Sequence, residues 1–198
     1  MGSPVTGTAG VPGALAGVVT VGTDHHRFDR LMDWLEHWNS SRPGAVHWVV
    51  QYGSTRPLAG TDGFDMKPRE ELLELLRTAD LVVTQGGPGG IMDSRECGTV
   101  PIVVPRLARL DEVVDDHQVA FARQLAGRGL VVVAESEAEL HAALDRAVGD
   151  PASLAVGANT SDVSQTVARF GAAVAQLLAS KPARSSKPAR SSRRTAVR

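Results

Sequence analysis

The sequence predicts an α/β fold with a doubly wound, mostly parallel sheet of the Rossmann-like kind. Three observations support this fold class along the 198 residues. Short β-branched runs alternate with segments in which apolar residues recur at helical spacing. The runs are apolar throughout, as expected of strands that are covered on both faces. Clusters of glycine and proline separate the elements, so that each strand and each helix has a defined end.

The first half of the chain alternates strand and helix twice. The run Gly17–Gly22 is β-branched and ends at a glycine, and apolar residues at helical spacing follow it over 28–38. A second strand is predicted at 46–51 and a short third one at 64–66. A helix over 69–77 then carries leucines on one face. This order predicts crossover connections between parallel strands.

The second half repeats the alternation around a glycine cluster. The apolar run 81–84 is a predicted strand that the segment Gln85–Gly90 breaks, and a helix over 91–97 ends at Gly98. The remaining predicted elements follow in chain order: a strand at 101–105, a helix at 114–126, a strand at 130–133, and closing helices at 137–148 and 163–179.

The two ends of the chain differ in composition from the 17–180 segment, which we predict to be the ordered domain. Residues 1–16 are small, uncharged and rich in glycine and proline, and the first basic residue is Arg27, so we expect no signal peptide here. Residues 181–198 contain the tandem repeat KPARSS and seven basic residues without an acidic one. We expect both ends to be disordered, because the first is rich in glycine and proline and the KPARSS repeat contains proline and serine without a large apolar residue.

Charge and cysteine content exclude several classes of protein. Residues 1–180 contain 14 basic and 22 acidic residues, which argues against a nucleic-acid-binding core. Cys97 is the single cysteine, so a disulfide scaffold is excluded. No uncharged apolar run is long enough to span a membrane.

Topology alone indicates where a ligand binds. Open parallel sheets bind ligands beyond the carboxyl ends of their strands, and this places function in the loops after Val21, Thr84 and Val104. The glycines after Thr84 suit either of two roles: a phosphate cradle at a helix N terminus, or a tight turn between strand and helix. No Walker sequence follows them.

Three polar groups beside these loops have both a structural and a functional interpretation. Asp93 either balances the helix dipole or binds a ribose diol. The segment Asp115–Gln118 either caps a helix or binds sugar hydroxyls. His25 and His26 are either solvated loop residues or functional groups. The sequence contains no metal-binding motif, and we expect no metal.

Three segments, which follow one another along the chain, together resemble the C-terminal, UDP-sugar-binding half of glycosyltransferase family 28. The opening segment is VVTVGTDHHRFDRLMDWL, the donor-binding segment is ADLVVTQGGPGGIMDSRECGTVPIVVPR, and the third is VDDHQVAFARQL. The resemblance covers about residues 17–150. Within it, the chain is similar to the small catalytic subunit of two-subunit enzymes that build lipid-linked glycans or exopolysaccharides.

The resemblance implies a single half of a GT-B fold and an inverting transfer from a UDP-sugar, with neither a cofactor nor an essential metal. His25 and His26 are the candidates for the catalytic base, unless a partner subunit supplies it. The residues expected to bind the donor substrate are Gly22, Thr23, Gln85, Gly86, Gly87, Gly89, Asp93, Asp116, His117 and Gln118. Among them, Asp93 occupies the position of the ribose-binding acid of the family.

The resemblance also implies a partner, because a complete GT-B enzyme has two such domains. We expect a membrane-anchored, acceptor-binding subunit that recruits this chain from the cytoplasm to the inner face of the membrane, with the basic tail near anionic lipid. Two positions depart from the family pattern. Gln85 stands where members often have His or Ser, and Gly90 where they often have Thr or Ser. These departures favour a non-catalytic nucleotide-sugar-binding or regulatory subunit as the alternative. A third interpretation, an unrelated doubly wound nucleotide-binding enzyme, is disfavoured by the three motif segments.

Overall fold

A six-stranded sheet lies at the centre of the chain, which a computed structural model describes over residues 13–157. In chain order its strands are β1 (Leu15–Thr20), β2 (Val46–Gln51), β3 (Asp62–Phe64), β4 (Leu81–Gln85), β5 (Ile102–Val104) and β6 (Val132–Val133). The α-helices of this part of the chain are α1 (Asp29–Ser41), α2 (Arg69–Arg77), α3 (Pro88–Glu96), α4 (His117–Ala126) and α5 (Glu137–Gly149). The strands are arranged in the order β3-β2-β1-β4-β5-β6, and every neighbouring pair is parallel.

This order confirms the predicted doubly wound fold. The winding direction reverses between β1 and β4, and a crevice opens beyond the carboxyl ends of these two strands. The helices cover both faces of the sheet. Along β1, Val19 belongs to the core formed with α1 and α5, whereas Val18 packs with α2 on the opposite face. A third apolar cluster joins α3 and α4 beside β5.

Several predicted boundaries were wrong for identifiable reasons. β1 begins at Leu15 rather than Gly17, because the Leu15 N–H donates to the Ala45 carbonyl at 3.0 Å and extends the pairing with β2. Helix α3 begins at Pro88 rather than Ile91, since proline lacks an N–H and suits the first helical position.

Smaller differences concern α4 and the short strands. Helix α4 begins at His117 rather than 114, where the Asp115 carboxylate accepts the His117 N–H at 3.1 Å and competes with helical continuation. β3 lies at 62–64 rather than 64–66, and β6 covers only part of 130–133. The predicted helix 163–179, the basic tail and residues 1–12 of the predicted leader lie outside the described residues. No helix within residues 13–157 is long and apolar enough to cross a membrane.

Close contact between β1 and β2 depends on a glycine. Gly17 is the register partner of Trp48, and a Cβ atom at position 17 would lie 2.5 Å from Cε3 of that indole. The indole is held from the other side, where its Nε1 donates to Asn39 Oδ1 at 2.8 Å and its ring meets Trp38 edge-on. The buried Trp48 ring therefore occupies the space that any side chain on Gly17 would need.

We expect Gly17→Ala to lower the free energy of unfolding by about 1–3 kcal/mol, because an overpacked core must displace a side chain or the backbone. Urea denaturation followed by circular dichroism measures this change. Gly149→Ala is the matched control, since position 149 ends α5 with open space around an added Cβ. Equal stability of the two variants would show that the Gly17 contact does not constrain the sheet.

Candidate functional site

A cleft of about 360 Å³ lies at the reversal point between β1 and β4. The loops after these two strands form two of its walls, and the segment that leads into α2 forms a third. Six of the ten predicted donor-binding residues line this cleft: Gly22, Thr23, Gln85, Gly87, Gly89 and Asp93. The structure thus brings the first loop, the glycine cluster and the acidic residue of α3 to one place.

The N terminus of α3 opens onto the cleft. Gly87 is the N-cap residue, Pro88 is the first helical residue, and no side chain caps this end of the helix. The backbone N–H groups of Gly89 and Gly90 therefore lie in an uncapped first turn, and both residues line the cleft. Free N–H groups and the positive end of the helix dipole favour an anion at this position.

The Gln85 side chain packs between the two glycine loops. A Cβ atom at Gly22 would lie 2.7 Å from Gln85 Nε2, and one at Gly87 would meet the same atom. Gly22 also has a φ of +77°, a conformation that favours glycine. Within the described residues, Gln85 Oε1 is buried and has no hydrogen-bond partner. A side chain at either position would have to displace the end of the Gln85 side chain, and at Gly22 the positive φ disfavours it as well.

The second departure from the family pattern has a steric cause. A Cβ atom at Gly90 would lie 2.6 Å from Thr84 Oγ1. That hydroxyl is buried and donates to the Thr20 carbonyl at 3.1 Å, so it cannot turn away without losing its partner. A hydroxyl-bearing residue at position 90 is therefore excluded by the Thr84 hydroxyl on the neighbouring strand.

Asp93 lies at the edge of the cleft and is paired with Arg69. The Arg69 Nη2 atom donates to Asp93 Oδ1 at 2.5 Å and also lies 3.4 Å from Glu96 Oε2. The hydrogen bond to Asp93 raises the pKa of the Arg69 guanidinium. The Arg69 side chain is 61% exposed and that of Asp93 only 14%. Because the Arg69 side chain is largely in solvent, the pair contributes little to stability.

Two cationic residues of the cleft were missed by sequence reasoning. Lys67 and Arg69 line the cleft wall before α2, and Lys67 is paired with Glu71 at 2.8 Å. Lys67 lies between β3 and α2, and Arg69 is the first residue of α2, so two basic residues at a strand-to-helix junction were a usable signal. They place positive charge at a cleft that the N terminus of α3 also lines.

A buried arginine holds the loop after β1. The Arg106 guanidinium donates to the carbonyl oxygens of Val21 at 2.9 Å, His26 at 2.7 Å and Glu112 at 2.9 Å. Burial lowers the pKa of this guanidinium, while Asp24 and Glu112 partly oppose that shift. Sequence reasoning also missed Arg106, although a basic residue directly after an apolar strand is unusual enough to be noticed.

The remaining predicted residues lie away from this cleft and stay predictions as ligand contacts. Gly86 is packed against Gln118, which is buried and whose Oε1 accepts the Arg106 N–H at 3.2 Å. Asp116 Oδ1 accepts the Ala108 N–H at 2.8 Å, and the exposed His117 ring contacts the carboxylate of the preceding Asp115.

His25 and His26 line a second cavity of about 630 Å³. Together with Asp24 they form a group of three side chains whose potential metal-ligand atoms lie within 4.8 Å of one another. The expectation that the protein needs no metal remains a prediction.

Comparisons with known proteins agree with this geometry. The model of the glycosyltransferase family 28 C-terminal domain matches residues 18–172. The chain is 35% identical over 78 residues to the UDP-N-acetylglucosamine–N-acetylmuramyl-(pentapeptide) pyrophosphoryl-undecaprenol N-acetylglucosamine transferase of Prochlorococcus marinus (strain MIT 9303), a match that covers 39% of this chain and 20% of that protein.

Solved structures share the fold at low sequence identity. The glycotransferase of kitacinnamycin gives a TM-score of 0.54 at 20% identity, over 90% of this chain and 44% of that one. The calicheamicin glycosyltransferase CalG4 gives 0.53 at 16% identity, over 84% and 39%. The chain thus corresponds to less than half of each of these glycosyltransferases.

The contact between positions 84 and 90 predicts a strong coupling between two substitutions. We expect Gly90→Ala alone to lower the free energy of unfolding by about 1–3 kcal/mol, because the new methyl group meets the Thr84 hydroxyl. In a Thr84→Ala background, Gly90→Ala should change the free energy of unfolding very little, since the Thr84 hydroxyl is absent. A double-mutant cycle from urea denaturation measures the coupling. Additive effects would contradict the steric explanation.

Proposed function

The chain belongs to the family of glycosyltransferase family 28 C-terminal domains, and we propose that it is the donor-binding catalytic subunit of an inverting UDP-sugar glycosyltransferase. The observation that carries the proposal is the single cleft that joins three features. These are two glycine loops, the uncapped N terminus of α3, and the Asp93 carboxylate at its edge. A nucleoside diphosphate matches this set, with phosphates at the amides and a ribose diol at the acid.

The proposed catalysis is electrostatic. As the bond between the sugar and the diphosphate breaks, negative charge develops on the departing UDP. The N–H groups of Gly89 and Gly90 and the nearby Lys67 ammonium are already placed around the cleft and need no reorganisation. We propose that these groups stabilise the negative charge on the departing UDP, as a divalent metal does in other transferases.

We further propose that the acceptor is a lipid-linked glycan held by a membrane-anchored partner subunit. The name of the Prochlorococcus relative includes a pyrophosphoryl-undecaprenol acceptor, which supports an acceptor of this class. The match covers 20% of that relative, and we propose that acceptor binding depends on a second chain. The proposed location is the cytoplasmic face of the membrane, with the basic residues of 181–198 near anionic lipid. Transfer to such an acceptor by the chain alone would contradict the need for a partner.

One observation favours the alternative of a non-catalytic, nucleotide-sugar-binding subunit. The Gln85 amide fills the space between Gly22 and Gly87, at a position where family members often have His or Ser. A subunit of this kind would bind UDP without supporting transfer. UDP release from a UDP-sugar in the presence of the coexpressed partner distinguishes the two functions.

The diphosphate position predicts that Gly89→Ala weakens UDP binding without harming the fold. Position 89 has open space for a Cβ atom, and alanine is the better helix former, so stability should be equal or slightly higher. The methyl group would hold the phosphates away from the helix amides. We expect Kd for UDP to rise by about tenfold or more, a loss of about 1.4 kcal/mol. Isothermal titration calorimetry measures it, with Gly149→Ala as the control.

The ribose position predicts a loss of sugar discrimination in Asp93→Asn. A carboxylate that accepts a hydrogen bond from the ribose 2′-hydroxyl should favour UDP over 2′-deoxy-UDP by about tenfold. The neutral amide of asparagine should reduce this preference. Calorimetry with both nucleotides compares the variant with Asp33→Asn, an exposed acid that is paired with Arg56 on another surface. If Asp93→Asn kept the wild-type ratio of Kd for UDP to Kd for 2′-deoxy-UDP, this would show that Asp93 does not bind the ribose.

A further inference from the structure

The loop between β1 and α1 contains three potential metal ligands in succession, Asp24, His25 and His26. Each of these side chains offers one ligand atom, and the three atoms lie within 4.8 Å of one another. Within residues 13–157, no other group of three His, Cys, Asp or Glu side chains could hold an ion in this way. The His25 side chain is 85% exposed, so an ion can reach the group from solvent.

Both histidines approach the same carboxylate oxygen. The Asp24 Oδ1 atom lies 3.4 Å from His25 Nδ1 and 2.6 Å from His26 Nδ1. Zinc binds imidazole nitrogen and carboxylate oxygen at about 2.0–2.2 Å, which places neighbouring ligand atoms about 2.8–3.6 Å apart at octahedral or tetrahedral angles. The His25 distance falls in this range, and the His26 distance is slightly shorter because Nδ1 and the oxygen share a proton. An ion would replace that proton, which is released to solvent.

The backbone of the loop is held in place on both sides of this group. The buried Arg106 guanidinium donates to the carbonyl oxygens of Val21 at 2.9 Å and His26 at 2.7 Å. On the helix side, the Phe28 side chain is fully buried in the core with α1. Because the loop is fixed before an ion binds, the cost in conformational entropy falls mainly on the exposed His25 side chain.

The charges around the group leave the Asp24 carboxylate available to a cation. Arg27 and Arg30 line the adjacent cavity, and each is paired with another carboxylate at 2.8 Å. The Arg106 guanidinium donates to backbone carbonyl oxygens. In the part of the chain that the structure describes, Asp24 therefore forms its ion pairs with the two histidines and with none of these arginines. Asp111 adds a further carboxylate to the cavity wall.

We propose that Asp24, His25 and His26 bind one divalent transition-metal ion, with water completing its coordination. Two imidazole nitrogens among three protein ligands favour zinc over magnesium or calcium, which prefer oxygen ligands. Two histidines, one carboxylate and water form a known zinc coordination. The three ligands are not among the residues that line the donor cleft, and we still expect the transfer itself to need no metal. The role of the ion is to hold the loop whose first residues, Gly22 and Thr23, line that cleft.

The test is a calorimetric titration of the full chain, without a histidine tag and without nucleotide, with zinc chloride. We expect one zinc ion to bind per chain. His25→Gln should raise Kd for zinc by about 100-fold, since even a residue that only supports a metal ligand contributes about 10- to 100-fold. Because the His25 side chain is exposed, circular dichroism should show an unchanged fold in this variant. Asp24→Asn and His26→Gln should weaken zinc binding in the same way.

Another contact between a histidine and a carboxylate supplies the matched control. His37 Nδ1 lies 2.7 Å from Glu137 Oε1, and the His37 side chain is 67% exposed. His37→Gln should therefore leave Kd for zinc unchanged. Cobalt(II) gives an independent readout, because its visible absorption depends on its ligands. The spectrum should change when cobalt(II) is added to the wild-type chain and to His37→Gln, but not when it is added to His25→Gln.

Absence of saturable zinc binding by the wild-type chain would overturn the proposal. So would wild-type affinity in His25→Gln, or a loss of binding in His37→Gln in its place. Displacement of zinc by an equal concentration of magnesium would contradict a site built on imidazole ligands. None of these results depends on UDP binding, so the metal site and the proposed function are tested separately.

Discussion

The close backbone approach at the point where the sheet reverses direction is the constraint on which the site depends. The Gln85 amide lies against the backbone of Gly22 and Gly87, so a side chain at either position would have to displace it. Thr84 imposes the same restriction on Gly90 from the neighbouring strand. Because these positions have no side chains, the cleft is lined by backbone N–H groups. The dipole of α3 favours an anion beside them. The preference of the site for an anion thus follows from the packing of Gln85 and Thr84 against these glycines.

Charged groups buried near the sheet keep the loops in place. Arg106 is fully buried and is attached to carbonyl groups of two different loops, while Arg30 pairs with Glu112 at 2.8 Å and lies over the Trp34 ring. Removing one partner from such a pair leaves an unpaired buried charge, which costs far more than the pair itself contributes. These contacts hold the walls of both cavities in a fixed relation before any ligand arrives.

Much of this arrangement could be predicted from the sequence, because it depends on local patterns. Apolar runs and glycine clusters gave the strands and helices, and topology placed the glycines and Asp93 at one edge of the sheet. Lys67 and Arg69 were recognisable as basic residues at a strand-to-helix junction, but their place at this cleft could not be predicted, since they come from a different crossover and meet the cleft only after folding. The same holds for Gln118, which periodicity places on α4 but which packing buries against Gly86. Local pattern thus identifies the elements, whereas long-range packing decides which polar groups face the ligand.

The central claim is that the amides at the N terminus of α3 hold a uridine diphosphate. Nuclear magnetic resonance of the ¹⁵N-labelled chain titrated with UDP tests it most directly, because each backbone N–H is observed separately. The account predicts that the largest shifts occur at Gly22, Gly87, Gly89 and Gly90, with smaller ones around Asp93. Shifts confined to other surfaces, such as the cavity beside Asn39 and Gly60, or the absence of any shift at millimolar UDP, would contradict it.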